Sequence, residues 1–211
     1  MSIAGTARVR CPACKTEQDC KLVQSINTQK DPEAKQRLVK GELNVLTCEC
    51  GKKTQLSANV LFHDPAADYF CQVCPGGEAA MNKAAETFRA VAATGTQRVV
   101  PSLNALIEKV KLLDAGLEDW AIEMTKVLLL ASTGVRDLDR VLLFDAVDRD
   151  ERVIRWVLFD ERGRDPKIVA SPLSAYDKLA TRTASKPAHS ELQIDRVWAT
   201  RAVEIMITNQ N

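Results

Sequence analysis

The sequence predicts an α+β fold, and three observations carry that expectation. Paired cysteines at Cys11/Cys14 and Cys48/Cys50 mark two tight turns near the N-terminus. Apolar residues then recur at helical spacing between residues 103 and 132, and from Arg140 the pattern shifts to short β-rich runs. The expected order is a β module of the zinc-ribbon kind over residues 7–75, a helical part over 76–135 whose centre is a hairpin, and a C-terminal segment over 136–211 of antiparallel strands with flanking helices.

The elements follow in order. Residues 21–26 and 43–47 alternate loosely between apolar and polar, as strands entering and leaving metal turns would. Between them a short helix is expected after Asp31, which can cap it; Pro32 suits the first helical position and Gly41 follows the last periodic residue. A further strand is expected at residues 54–62, before a turn at His63-Asp64-Pro65. Residues 78–92 read as an alanine-rich, mostly polar helix. Ser102 can cap a stronger one, with Leu103, Leu106, Ile107, Val110 and Leu113 on one stripe and Gly116 as its stop. Residues 117–132 resume as a helix with Trp120, Met124, Val127 and Leu128 on one face, ending near Gly134, and the two helices form a hairpin.

Residues 141–147 and 153–159 form a β-hairpin around Asp148-Arg149-Asp150-Glu151, with Ile154, Trp156 and Leu158 facing one way and Arg155 the other. A third strand at residues 167–170 follows the turn at 162–166, a helix runs from Ser171-Pro172 toward Ala180, and residues 185–189 are a loop. At the end, Ile194, Val197, Trp198, Arg201, Ala202 and Ile205 fit a helix, while the alternation at 203–207 leaves a strand as rival. The region 117–130 is apolar on more than one side. That suits a helix buried in the middle of the fold, with a homo-oligomer surface as the alternative.

With 211 residues the chain suits one compact unit or two small ones, and 45% hydrophobic with 27% charged residues is ordinary for a globular protein. A net charge of +1 lacks the electrostatic footprint of a general nucleic-acid binder. No apolar run approaches the roughly 20 residues that span a bilayer, and the first residues lack the apolar stretch of a secretory signal. All seven cysteines fall before residue 75, an odd number and a clustered one. Both features argue against a secreted disulfide framework and for metal-bound thiolates in a reducing cytoplasm.

Cys11, Cys14, Cys48 and Cys50 are therefore the expected ligands of one structural zinc ion, held by two thiolates from each turn. Four thiolates leave the site with a formal charge of −2, which Lys15, Lys52 and Lys53 lie close enough in sequence to offset. Gly51 supplies the permissive backbone that such a turn requires. A thioredoxin-like couple at Cys11-Pro12-Ala13-Cys14 is disfavoured. Ten residues before Cys11 cannot supply the preceding β-α unit, and residues 15–26 show no helix to activate a thiolate. Cys71-Gln72-Val73-Cys74 offers half of a second site with Cys20 and His63; the competing expectation is that these cysteines are small buried apolar residues. His63 reads as a turn or packing residue, and His189 as an exposed loop residue.

These residues resemble a known family, the CpXC proteins, named for paired Cys-Pro-x-Cys motifs. The resemblance rests on Cys11-Pro12-Ala13-Cys14, Ser25-Ile26-Asn27-Thr28, the residues 31–38, 41–51 and 61–65, and the helical stretches 98–109 and 114–123. It covers residues 9–133 and is weaker beyond. The resemblance implies a bacterial protein that binds zinc through the four motif cysteines, here Cys11, Cys14, Cys48 and Cys50. The second motif departs from the family pattern: Cys48-Glu49-Cys50 lacks the proline and one residue of spacing, so its knuckle is shorter.

No His-Glu-x-x-His, Gly-x-Ser-x-Gly or dinucleotide glycine fingerprint occurs, and with two histidines no arrangement nominates a nucleophile. The expected function is accordingly a non-catalytic protein-interaction or regulatory module. The alternative is a nucleic-acid-binding zinc ribbon, motivated by Arg8, Arg10, Lys15, Lys21, Lys52 and Lys53 around the cysteines and weakened by the lack of aromatic residues among them.

Overall fold

A computed structural model describes residues 3–91, 94–132, 140–160 and 165–209, and it divides into two compact units, 1–107 and 108–211. The expected helix ends at Ala92 and Gly134 and the turn at 162–164 lie outside the described residues.

The first unit is built on a five-stranded mixed sheet. Strands β1 (Ile3–Arg10) and β2 (Glu17–Asn27) form a long antiparallel ribbon. Between β2 and the next sheet strand come α1 (Pro32–Val39), β3 (Val45–Thr47) and β4 (Lys53–Gln55), the last two paired only with each other. The sheet continues with β5 (Val60–Asp64), β6 (Tyr69–Val73) and β7 (Thr96–Val100), in the order β1-β2-β5-β6-β7. β2/β5 and β6/β7 are parallel and β5/β6 antiparallel. Helix α2 (Glu78–Val91) makes the crossover from β6 to β7.

The capping expectations hold. Asp31 accepts a hydrogen bond from the Ala34 amide at 3.0 Å, with Pro32 in the first turn. Gly41, at φ +70°, ends α1 with the Gly41 amide bonded to Leu38 and the Glu42 amide to Arg37. The single strand expected at 54–62 is instead two, β4 and β5, with residues 56–59 between them. Leu56 turns inward there, and its amide bonds to the Asn44 carbonyl at 2.8 Å. His63 and Asp64 belong to β5, so the turn falls at residues 65–68. His63 stacks on Phe70 across the strand pair, with centroids 4.0 Å apart.

Helix α3 (Leu103–Asp114) is capped by Ser102, whose hydroxyl accepts from the Ala105 amide at 3.2 Å, and it stops at Gly116 with φ +65°. The second unit packs around α4 (Asp119–Ser132), buried continuously from Trp120 to Val127. This is the central helix that the many-sided apolar pattern implied. A three-stranded antiparallel sheet, ordered β10-β9-β8, supplies Leu142, Phe144, Ile154 and Trp156 to the same core. Its strands are β8 (Leu142–Asp148), β9 (Val153–Leu158) and β10 (Lys167–Pro172).

Helices α5 (Leu173–Ala180) and α6 (Arg196–Thr208) complete the unit, with a 3-10 turn at Thr183–Ser185 that takes in the first residue of the expected loop. The C-terminal segment is thus a helix, capped by Asp195 through the Trp198 amide at 3.0 Å. Its inward face differs from the expected one. Ala199 and Val203 are buried, while Val197 and Ile205 are 60% and 62% exposed.

Candidate metal centre

Each cysteine pair sits at the tip of an antiparallel hairpin. The β1/β2 ribbon closes at Arg10 opposite Glu17, and β3/β4 closes at Thr47 opposite Lys53. Across the first tip the Cys11 amide bonds to the Thr16 carbonyl at 2.9 Å, and the Lys15 amide to the Cys11 carbonyl at 3.0 Å. Across the second, the Cys48 amide bonds to the Lys52 carbonyl at 3.0 Å, and the Gly51 amide to the Cys48 carbonyl at 2.9 Å. The two knuckles share one scheme, shortened by one residue in the second. Each turns on a left-handed residue just after its second cysteine, Lys15 (φ 64°) and Gly51 (φ 82°). The missing residue of Cys48-Glu49-Cys50 therefore tightens the loop and leaves its ligand pair in place.

The four sulfurs lie within 4.8 Å of one another. Cys11 Sγ is 3.8 Å from Cys50 Sγ, and Cys14 Sγ is 3.5 Å from Cys48 Sγ. A tetrahedral ion with metal–sulfur bonds of about 2.3 Å requires sulfurs about 3.8 Å apart. The cluster fits a metal ion of that kind. Cys11 and Cys48 are buried and Cys14 and Cys50 exposed, so the cluster has a packed side and an open one.

Electrostatics distinguish Cys11, Cys14 and Cys48. The Cys14 and Ala13 amides hold the Cys11 thiol below its ordinary value. The Thr16 hydroxyl and amide bring Cys14 down to about 6. The Cys50 amide also favours a Cys48 thiolate, but the Cys14 sulfur, burial and the other two cysteines outweigh it, and Cys48 is pushed up to about 12. Without metal Cys48 keeps its proton, which a bound cation would displace. Lys15 folds over the first knuckle, its Nζ donating to the Pro12 carbonyl at 3.0 Å.

One residue that holds the site together carries no motif. Asn44, buried and left-handed (φ 55°), presents its amide side chain to β2 as a strand would: the Val23 amide donates to Asn44 Oδ1 at 2.7 Å, and Asn44 Nδ2 donates to the Val23 carbonyl at 3.0 Å. Gln18 Nε2 adds a bond to the Thr47 carbonyl at 3.2 Å. These contacts lock the short hairpin against the long one and so bring the two cysteine pairs together. The only signal in the sequence is an asparagine inside an apolar run. An Asn44→Ala variant is expected to lose about 2–4 kcal/mol, because both Val23 backbone groups are stranded in the interior, and to bind metal more weakly. Chemical denaturation and a competitive chelator titration read the two effects, and wild-type values in both would refute the clamp.

The second cysteine set does not assemble. Among the described residues the only metal-competent group is Cys11, Cys14, Cys48 and Cys50. Cys71 and Cys74 are buried at 0% and 4% exposure in and just after β6. Cys20 sits seven residues along β2 from Asn27, the partner of His63, a separation of about 23 Å at about 3.3 Å per residue. Nor does Cys11–Cys14 start a helix as a redox couple would; β2 follows it. His189 is exposed, as expected. No helix among the described residues is long and apolar enough to cross a membrane.

A family model described as CpXC protein matches residues 9–126, more than half of the chain. The matched span takes in both knuckles, the five-stranded sheet from β2 onward and the first half of α4. No curated protein and no solved structure matches the chain.

Proposed function

The chain belongs to the CpXC family, and from that premise we propose that it is a non-catalytic zinc-binding protein, a bacterial, cytoplasmic protein-interaction or regulatory module whose metal is structural. One observation carries this reading: among the described residues, four cysteine sulfurs and no other donor converge at tetrahedral spacing. An all-thiolate set fills every position of a four-coordinate ion, leaving none for substrate or water, which is the pattern of structural zinc. Soft thiolates at this geometry select zinc or iron, and zinc has the simpler role of clamping two hairpins.

Nucleic-acid binding is the weaker reading. Arg8 and Arg10, the two cations nearest the first knuckle on β1, both engage Glu17, at 3.2 and 3.5 Å. The ribbon therefore offers less positive charge than its sequence suggests.

Elemental analysis of the purified protein, combined with native co-purification, tests the proposal. The expected result is one zinc per chain, a colourless protein, and a stoichiometric protein partner. Iron with visible absorbance, less than one metal per chain, or salt-sensitive nucleic-acid binding without a protein partner would overturn it.

A further inference from the structure

We propose that the groove between the Thr183–Ser185 turn and helix α6 docks an acidic amphipathic helix of a partner protein. The groove encloses ≈ 630 Å³, within the range of true binding clefts. Its floor is Trp198, Ala202 and Met206, all partly buried, and Ile205 stands at its edge with 62% of its surface exposed. Two cations, Lys186 and Arg201, stand around this apolar strip, with Arg182 and Glu191, each already engaged in a polar interaction, beside them.

The composition selects the ligand. Trp, Met and Arg are the side chains that interfaces concentrate, because they combine large contact area with adaptable packing. Trp198, Arg201, Ala202, Ile205 and Met206 follow the i, i+3, i+4 spacing of one α6 face, so the apolar strip runs along the helix axis for about 12 Å at about 1.5 Å per residue. A second helix laid along it would match that strip with its own i, i+3, i+4, i+7 anchors. The cationic rim then requires carboxylates beside those anchors. Nucleic acid fits less well: Trp198 is the one aromatic side chain among the described residues lining the groove, and single strands need a succession of stacking platforms.

The inference rests on the interaction-module reading above but uses none of the metal site, so the two are tested apart. The full-length, metal-loaded protein is titrated with a synthetic peptide carrying Leu at i, i+3, i+4 and i+7 and Glu between them. Trp120 and Trp156 are buried at 2% and 0% exposure, so a change in emission reports Trp198, and Trp198→Phe should abolish it. Saturable binding is expected that weakens with salt, is lost when Lys replaces Glu in the peptide, and falls at least about tenfold in Arg201→Glu or Lys186→Glu. No response, equal binding of the Lys peptide, or unchanged affinity in both variants overturns the groove. So does an oligonucleotide that binds it more tightly than the peptide, or a self-association that Arg201→Glu abolishes. A partner that still co-purifies with Arg201→Glu but not with metal-free protein would refute the groove and leave the function intact; a partner lost in Arg201→Glu and kept by metal-free protein would support the groove.

Discussion

A Cys48→Ser variant is expected to lose the metal ion proposed for the four-cysteine cluster and, with it, the folded state of the two knuckle hairpins. Serine leaves three thiolates and a hydroxyl that stays protonated at neutral pH. A four-thiolate site contributes on the order of 10 kcal/mol to folding, comparable with the whole stability of a typical domain, about 5–15 kcal/mol. Apart from the buried Leu43, Leu46 and Leu56, little else supports the second knuckle. β3 and β4 are three residues each, too short to stand as an isolated hairpin, and Asn44 and Gln18 supply only a few bonds across to β2. Metal content falls to zero, and amide exchange accelerates across residues 45–55. The cores around Trp120 and Trp156 lie in the other unit and keep their near-ultraviolet signals. Full metal occupancy in the variant would end the clamp hypothesis. The same geometry sets the pH response. Because the metal-free Cys48 thiol is pushed up to about 12, binding must expel its proton, so apparent metal affinity rises with pH and acid releases the ion.

Much of this site was legible because its determinants are local. Two cysteines on one tight turn need only a short loop and a left-handed residue, and Gly51 announces the second of these; Lys15, doing the same work in the first knuckle, does not. Asp31 with Pro32, Ser102, Gly41 and Gly116 likewise act within a few residues of where they stand. What escaped was non-local. The parallel pairing of β2 with β5 joins residues separated by both knuckle strands and α1, and no turn signal encodes it. In α6, Val197 and Ile205 are as apolar as the buried Val203, so the pattern leaves a strand as rival to the helix and cannot choose the helix's inner face. Cys71 and Cys74 repeat the Cys-x-x-Cys spacing on and just after a strand, where residues three apart point to opposite faces about 10 Å apart. A spacing that converges thiols on a turn separates them there. Lys109, Lys126 and Glu123 are buried although nothing local in the sequence marks them, because their partners come from other elements of the fold.

That buried set makes Lys126→Met the second large effect. Lys126 Nζ lies 2.8 Å from Glu108 Oε1 and 2.9 Å from Glu123 Oε1. Lys109 Nζ reaches Asp119 at 2.8 Å, Glu123 at 3.9 Å and the Ile194 carbonyl at 2.8 Å. Glu108 also accepts the Phe144 amide of the edge strand β8. The network thus ties α3, α4, β8 and the entry to α6 through two ammonium groups and three carboxylates. Methionine fills the lysine's volume but leaves Glu108 the Phe144 amide in place of an ammonium group and Glu123 the more distant Lys109, at 3.9 Å, and a broken buried pair costs about 3–5 kcal/mol. Burial alone would lower the Lys126 pKa; attraction and hydrogen bonds from Glu108 and Glu123 more than reverse it, and the net direction is upward. The sign follows: with its folded value raised, Lys126 contributes fully below the unfolded value of about 10.4, and the contribution disappears as pH climbs through the folded value. The stability gap between wild type and Lys126→Met should therefore be constant through neutral pH and close only in strong alkali. Because the cost is an uncompensated carboxylate and not a lost methylene stem, Lys126→Met combined with Glu123→Leu should recover part of it. Denaturation followed through Trp120 and Trp156 measures each variant, and a Lys126→Met midpoint equal to wild type would show that the network adds nothing to the fold.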